Sequence, residues 1–304
     1  MLDQFIEYYS KARKMQELKF QGKNWNSKDV NDDLVWNIPI YDVVNRRYAA
    51  FSSFLEAVVK GDQDVKCNGK YFKGAIDKIT QDDYIFLCYV FRLCGSGINY
   101  RPKKVGQDDP FKTHGFGNFW VVNDLINGKF TKQEWLNSMP EKKFCDVKGY
   151  LLPMIKGGLR NYIQVSSSEL VEYLLKFLKH GDIKGIKEVV DHGNNWLISR
   201  GFKRQNFVLT AFAMDMAEYF PELVDRDSNV YVGSNARKCL RLILPKLKHD
   251  DALKLLCVAT GKISKPYDME DVACDFIRYI ENFQSPDHIE YNKGVVYRNN
   301  IKKN

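Results

Sequence analysis

The sequence is short of every feature that would place it at once. No apolar run is long enough to span a bilayer: the longest near the centre, Tyr84 to Phe91, ends at Arg92, whereas about 20 residues are needed. The first residues, Met1-Leu2-Asp3-Gln4-Phe5-Ile6-Glu7, are acidic and carry no apolar core behind basic residues, unlike a secretory signal. A cytosolic location and no membrane partner are the expectations. Cysteine is sparse and odd in number, 7 in 304 residues, with no Cys-x-x-Cys pair, so reduced structural thiols are expected rather than a disulfide framework. The 5 histidines are scattered, which disfavours a zinc site and leaves no metal ligands to name. Gly-x-x-x-x-Gly-Lys-Ser/Thr, a dinucleotide fingerprint, Gly-x-Ser-x-Gly and His-Glu-x-x-His are all missing. The common nucleotide-hydrolase, dehydrogenase, serine-hydrolase and zinc-protease chemistries are therefore disfavoured.

What is present is ordinary globular material with a basic excess. Hydrophobic residues make up 44% and charged residues 28%, and the net charge is +8. That charge permits a polyanionic partner without requiring one. Helical periodicity dominates and no run of alternating strands occurs, so the fold class expected is mainly α. Phe5, Tyr8, Tyr9 and Ala12 predict an opening amphipathic helix, and residues 82–94 a buried one. Shorter helices are expected over 118–127 and 133–138. Ser166 and Glu169 offer a capping box for a helix through Leu178, closed by His180-Gly181. Further helices are expected from Phe207 to Phe220, after Gly233-Ser234-Asn235 as far as Pro245, over 251–260 behind Asp250, and over 269–283. Two lobes are read, residues 1–165 and 166–291, followed by a basic tail over 292–304.

Four constellations can carry chemistry. Arg92 ends an apolar helix and precedes Gly95-Ser96-Gly97-Ile98-Asn99. A buried guanidinium must be paired, either to a carboxylate or to a phosphate, which its planar fork suits. His114-Gly115-Phe116-Gly117-Asn118-Phe119-Trp120 sets aromatics beside a turn. They either enter the core behind an Asn118 cap or stack on a base whose edge an asparagine reads. Gly233-Ser234-Asn235-Ala236-Arg237-Lys238 opens a helix, and between Gly233 and Lys248 lie five bases and no acid. Bases in a first helical turn oppose the dipole, which makes sense with an anion at the helix end; the alternative is a Ser234 cap with solvated bases. Asp215 and Asp275 each sit in an apolar helical segment, as a structural ion pair or as a candidate base.

Taken in this order, the pieces resemble the alpha-glutamyl/putrescinyl thymine pyrophosphorylase family, most of all its third clade. The residues that carry the resemblance are Phe91-Arg92 with Gly95-Ser96-Gly97-Ile98-Asn99-Tyr100, Gly117-Asn118-Phe119, the Asp215 helix, Val232 to Lys238, and Val272 to Tyr279. They span roughly 82–283, and Asn235 stands where the family usually has a second glycine. The resemblance implies a two-lobed helical fold like that of helix-hairpin-helix DNA glycosylases, encoded by a bacteriophage. It implies an enzyme of DNA hypermodification, acting on 5-hydroxymethyluracil whose hydroxymethyl group has been pyrophosphorylated. An amine, from an amino acid or a polyamine, displaces the pyrophosphate.

That chemistry assigns roles. The leaving pyrophosphate needs cations, or a divalent metal in their place, with no other cofactor; Arg92, Arg237 and Lys238 are the candidates. The amine must lose a proton, for which Asp215 comes first and Asp275 second. Gly233, Ser234 and Asn235 join Arg237 and Lys238 as phosphate-binding candidates. If the base is flipped, Phe119 and Trp120 stack on it and Asn99 or Asn118 bonds its edge. Two other readings stay open: a base-excision glycosylase using the same carboxylates, and a DNA-binding helical module without activity.

Overall fold

The structure is a computed structural model that describes residues 1–20, 65–67, 70–72, 80–94, 162, 165–262 and 264–282. The described part is mainly helical. Its elements are α1 (Leu2–Phe20), β1 (Val65–Cys67), β2 (Lys70–Phe72), α2 (Gln81–Cys94), a π-turn (Ser166–Leu170), α3 (Val171–His180), α4 (Ile186–Ser199), α5 (Asn206–Tyr219), α6 (Ser234–Ile243), α7 (His249–Ala259) and α8 (Pro266–Asn282). The two strands form one short antiparallel ladder, with Val65 opposite Phe72 and Cys67 opposite Lys70. The chain divides into two compact units, Ser53–Asp225 and a discontinuous one of Met1–Ser52 with Arg226–Asn304. The lobe boundary expected at 165/166 falls inside the first of these.

The unit Ser53–Asp225 is organised around α5. Every residue from Val208 to Glu218 is buried, as expected of a helix apolar on all sides. It packs on α2 and α4. Tyr84 of α2 meets Tyr219 and Phe220, and Tyr89 meets Phe212, so α2 and α5 run in opposite directions. Against α4 the approach is close because Gly193 has no side chain: a Cβ there would lie 3.0 Å from a Leu209 methyl. Helix α3 stops at Gly181, whose φ of 79° suits a glycine C-cap. The amides of Gly181 and Asp182 donate to the carbonyls of Leu178 and Phe177.

The capping box expected at Ser166 does not form. A cap residue has extended backbone, but Val165 is already helical, with φ −69° and ψ −46°. The chain enters in helical conformation and Ser166–Leu170 is wound as a π-turn. Ser166 and Ser167 are fully buried, and Glu169 pairs instead with Arg200 at 3.2 Å. Two other caps also shift by a residue or two: Gly233, not Ser234, is the N-cap of α6, and Lys248 precedes α7 with Asp250 in its first turn. Helix α4 lies where the sequence reading named none.

In the other unit α8 is central, with Tyr267, Met269, Val272, Ala273, Phe276 and Ile277 buried. It packs on α6, α7 and α1. The opening helix docks by its aromatic stripe: Phe5 and Tyr8 each lie 5.3 Å from the Phe276 ring, edge-on. Tyr9 and Ser264 share a buried hydrogen bond of 2.8 Å. Helix α6 turns Ala236, Cys239, Leu240 and Ile243 inward and leaves Arg237, Lys238 and Arg241 exposed. The shorter helices expected over 118–127 and 133–138, and the basic tail, lie outside the described residues.

Candidate functional site

Two of the expected site residues meet. Arg92 lies at the end of α2 and Asp215 in the middle of α5, yet their side chains form a bidentate pair. The Arg92 Nε donates to Asp215 Oδ2 at 2.6 Å and the Nη2 donates to Oδ1 at 2.6 Å. The side chains are 9% and 1% exposed. The local geometry explains the partnership. With Tyr89 against Phe212 and Tyr84 against Tyr219, Asp215 stands about one turn before Arg92 along α2. A helical side chain leans toward the N-terminus of its own helix, so the arginine reaches back down α2 to the carboxylate. Of the partners open to Arg92 in the sequence, a carboxylate is the one observed.

The pair has polar neighbours in the same unit. One turn before Arg92, the Tyr89 hydroxyl lies 3.4 Å from that of Tyr162, and Tyr162 stands beside Ser166 of the π-turn. Burial first, and then the adjacent Tyr89, push the Tyr162 phenol well above the usual phenol range. It remains a neutral hydroxyl at any physiological pH. The arrangement thus offers a fixed guanidinium–carboxylate pair and neutral hydroxyls, held between α2, α5 and the π-turn. Chemically, such a set can orient an anion or a hydrogen-bonding ligand, and it also cross-links two helices.

The second expected site, the start of α6, is occupied from within. The Gly233 N–H donates to Glu270 Oε1 at 2.8 Å, and the carboxylate is packed so closely that a Cβ on Gly233 would lie 3.1 Å from it. A negative group therefore does sit at this helix end, as the bases in the first turn suggested, but α8 supplies it. Lys238 pairs with Glu281 of α8. Ser234 and Arg237 are exposed and Asn235 is half-buried. Asp275 is 6% exposed on α8. It belongs to this unit, whereas Arg92 and Asp215 belong to the other. Asn99, Asn118, Phe119 and Trp120 lie outside the described residues.

Burial also decides the thiols. Cys239 is pushed up to about 12 by desolvation, with Cys274 beside it adding to the shift. Cys257 is pushed up to about 12 by desolvation and then by Asp268 and Asp227. Neither is ionised near neutrality, so neither is a nucleophile there. Among the described residues no group of three or more His, Cys, Asp or Glu is placed to hold a metal ion, and no helix is long and apolar enough to cross a membrane. Sequence reasoning overlooked the turn between α4 and α5. Its exposed Lys203, Arg204 and Phe207, with no acid from His192 to Met214, were legible in the sequence. No family model, no curated protein and no solved structure matches this chain.

Proposed function

We propose that the chain is a DNA base-hypermodifying transferase of the helix-hairpin-helix glycosylase-like type. It displaces pyrophosphate from 5-pyrophosphoryloxymethyluracil in DNA with the amine of an amino acid or a polyamine. The observation that supports this most is the meeting of Arg92 and Asp215. Two segments named by the family resemblance, far apart in the chain, contribute to one buried constellation. In the step proposed, the amine nitrogen attacks the 5-methylene carbon, the carbon–oxygen bond breaks, pyrophosphate departs with the bonding electrons, and the new secondary amine sheds a proton. The guanidinium offsets the charge that develops on the leaving group. Asp215, with both oxygens engaged by Arg92, acts as a positioning residue that fixes the guanidinium plane. This differs from the base assigned to it on sequence, and the proton passes to solvent. The test is incubation of the protein with DNA bearing the pyrophosphorylated base and a panel of amino acids and polyamines, followed by mass spectrometry of the nucleosides. An amine-substituted thymidine supports the reading. Unchanged nucleosides with every amine refute it.

One observation favours a second reading, a DNA-binding helical module without catalysis. The exposed face of α6 and the turn after it present Arg237, Arg241, Lys246 and Lys248, and no acid lies between Gly233 and Lys248. Salt-sensitive DNA binding with no product in the same assay supports this alternative, and abasic sites in the DNA point to a glycosylase.

A further inference from the structure

The layer formed by α6 and α7 combines exposed charge with exposed aliphatic side chains. Both helices pack on α8 and on each other, and five residues, Leu244 to Lys248, join them. Each is buried along one side, through Ala236 to Ile243 on α6 and Ala252 to Cys257 on α7. Their other sides therefore turn away from α8 together. The joint is fixed by its own backbone. The Leu244 amide donates to the Leu240 carbonyl, the Leu247 amide to that of Leu244, and the Ala252 amide to that of Lys248.

What this layer presents outward is basic and apolar at once. Leu242, Leu247, Leu255 and Val258 are 46%, 41%, 43% and 55% exposed, four of the seven exposed large apolar side chains among the described residues. Arg237, Arg241, Lys246, Lys248, Lys254 and Lys262 are exposed as well and make no ion pair among the described residues. From Gly233 to Lys262 there are seven bases and two acids. Both acids, Asp250 and Asp251, stand in the first turn of α7, where the helix dipole favours them. On α7, Lys254 lies four residues and Leu255 three residues before Val258, so charge and aliphatic groups share one helix face. Through the joint, Lys246, Leu247 and Lys248 bring the same two kinds of side chain together in sequence.

We infer that this layer is a docking surface for an anionic lipid membrane, with its bases on the headgroups and its aliphatic side chains among them. The two kinds of side chain select the partner together. Nucleic-acid phosphates would engage the bases and leave the leucines wet, since the platform on which nucleobases stack is aromatic. At protein interfaces lysine is depleted, and leucine and valine are under-represented among the anchoring residues. A lipid surface uses both kinds. Each base near it gains from the negative headgroups, and each inserted aliphatic group leaves water. Long basic side chains keep their charge at headgroup level while their stems lie on apolar surface. The expectation of no membrane partner rested on the missing spanning segment, and a helix that lies on a bilayer needs none. The inference is independent of the transferase reading and competes with the DNA-binding module for the same bases.

The experiment sediments the full chain with vesicles of phosphatidylcholine alone and of phosphatidylcholine mixed with phosphatidylserine, across a salt series. Wild type is expected to bind the mixed vesicles, to be released as salt rises, and to ignore phosphatidylcholine alone. Arg241→Gln with Lys246→Gln is expected to lower partitioning about 25-fold, at about 5-fold per base. Leu242→Ala with Leu247→Ala, and separately Leu255→Ala with Val258→Ala, should each lose about 4-fold for every methylene-sized group withdrawn from lipid. The melting temperature of each variant is measured alongside. The two apolar pairs sit on different elements, so if one fails to fold the other decides. Wild type that stays in the supernatant with mixed vesicles at low salt overturns the inference and leaves the transferase reading intact. Wild-type partitioning in both folded apolar variants also overturns it, because no side chain then enters the bilayer. Equal binding to both kinds of vesicle overturns the role given to the bases. Binding to a duplex oligonucleotide that falls in the Arg241–Lys246 variant, with no vesicle bound, replaces the lipid with DNA.

Discussion

Removing either partner of the Arg92–Asp215 pair should be among the most destabilising single changes in this protein, and replacing both together should not be. The structural basis is the burial: side chains 9% and 1% exposed, joined by two bonds of 2.6 Å. Arg92→Met leaves a buried carboxylate without its cation, and Asp215→Leu leaves a buried guanidinium without its anion. Each should cost about 3–5 kcal/mol, against a total stability of about 5–15 kcal/mol for a typical protein. The double variant Arg92→Met/Asp215→Leu removes both charges and keeps similar volume, so its stability should lie near wild type or above it. The surface pair Lys179–Asp82, with side chains 45% and 47% exposed, provides the contrast: breaking it should change stability by less than about 1 kcal/mol. Urea unfolding followed by far-UV ellipticity gives the energies, and hydrogen exchange of the α2 and α5 amides locates the loss in the right unit. Single variants that cost no more than the surface pair would refute the claim that the pair is dry and mutually dependent. The double variant also separates architecture from chemistry. If wild type transfers amines to pyrophosphorylated DNA and the folded double variant does so equally, Arg92 does not hold the leaving group.

Two further outcomes follow from ionisation. Glu188 is held below the usual carboxylate range by the Gly185 amide and then the Lys184 amide, which donate to it at 2.9 and 2.8 Å. A depressed folded value means that its contribution, about 1 kcal/mol for a helix-start bond, is complete above about pH 4.3 and fades as pH falls through the folded value. Glu188→Gln should lower the urea midpoint at pH 7 by an amount that shrinks as pH falls below about 4.3; a loss that does not change with pH refutes the ionic cap. Cys239 and Cys257, at about 12, should be alkylated at pH 8 roughly three orders of magnitude more slowly than a free thiol of pKa about 8.5. Peptide-mapped alkylation checks this, and fast labelling of the folded protein contradicts it.

The helices were legible where the apolar stripe was long. Phe5, Tyr8, Tyr9 and Ala12 are buried in α1 as their spacing requires, and α2, α5, α6 and α8 begin and end within a few residues of expectation. Helix α4 was missed because Gly193-Asn194-Asn195 reads locally as a loop. Its reasons are tertiary: Gly193 admits Leu209 and Asn194 bonds the following turn. The Ser166 cap failed for a related reason. A capping signal is local, and here the chain arrives already helical. The candidate site was half legible. Chemistry alone required partners for Arg92 and Asp215, but only packing of α2 on α5 makes each the partner of the other. The grouping of α1 with the helices after Arg226 was invisible, since no periodicity within a segment encodes which distant segment covers it.

The position of Glu270 changes where an external polyanion can be expected. Bases in the first turn of α6 contradict the helix dipole unless a negative charge stands at the helix start, and on sequence that charge was read as a ligand. Because Glu270 already bonds the Gly233 amide, the contradiction is resolved within the protein. The same carboxylate disfavours a phosphate at that spot by repulsion. The bases of α6 then have a different use. Ala236, Cys239, Leu240 and Ile243 bind the helix to its unit, and Arg237 and Arg241, one turn apart, are both exposed, as side chains at that spacing share a helix face. A face of this kind meets phosphates by side-chain charge alone, so any affinity it provides falls with salt and carries no sequence preference. Any sequence preference in nucleic-acid binding would have to come from residues other than these.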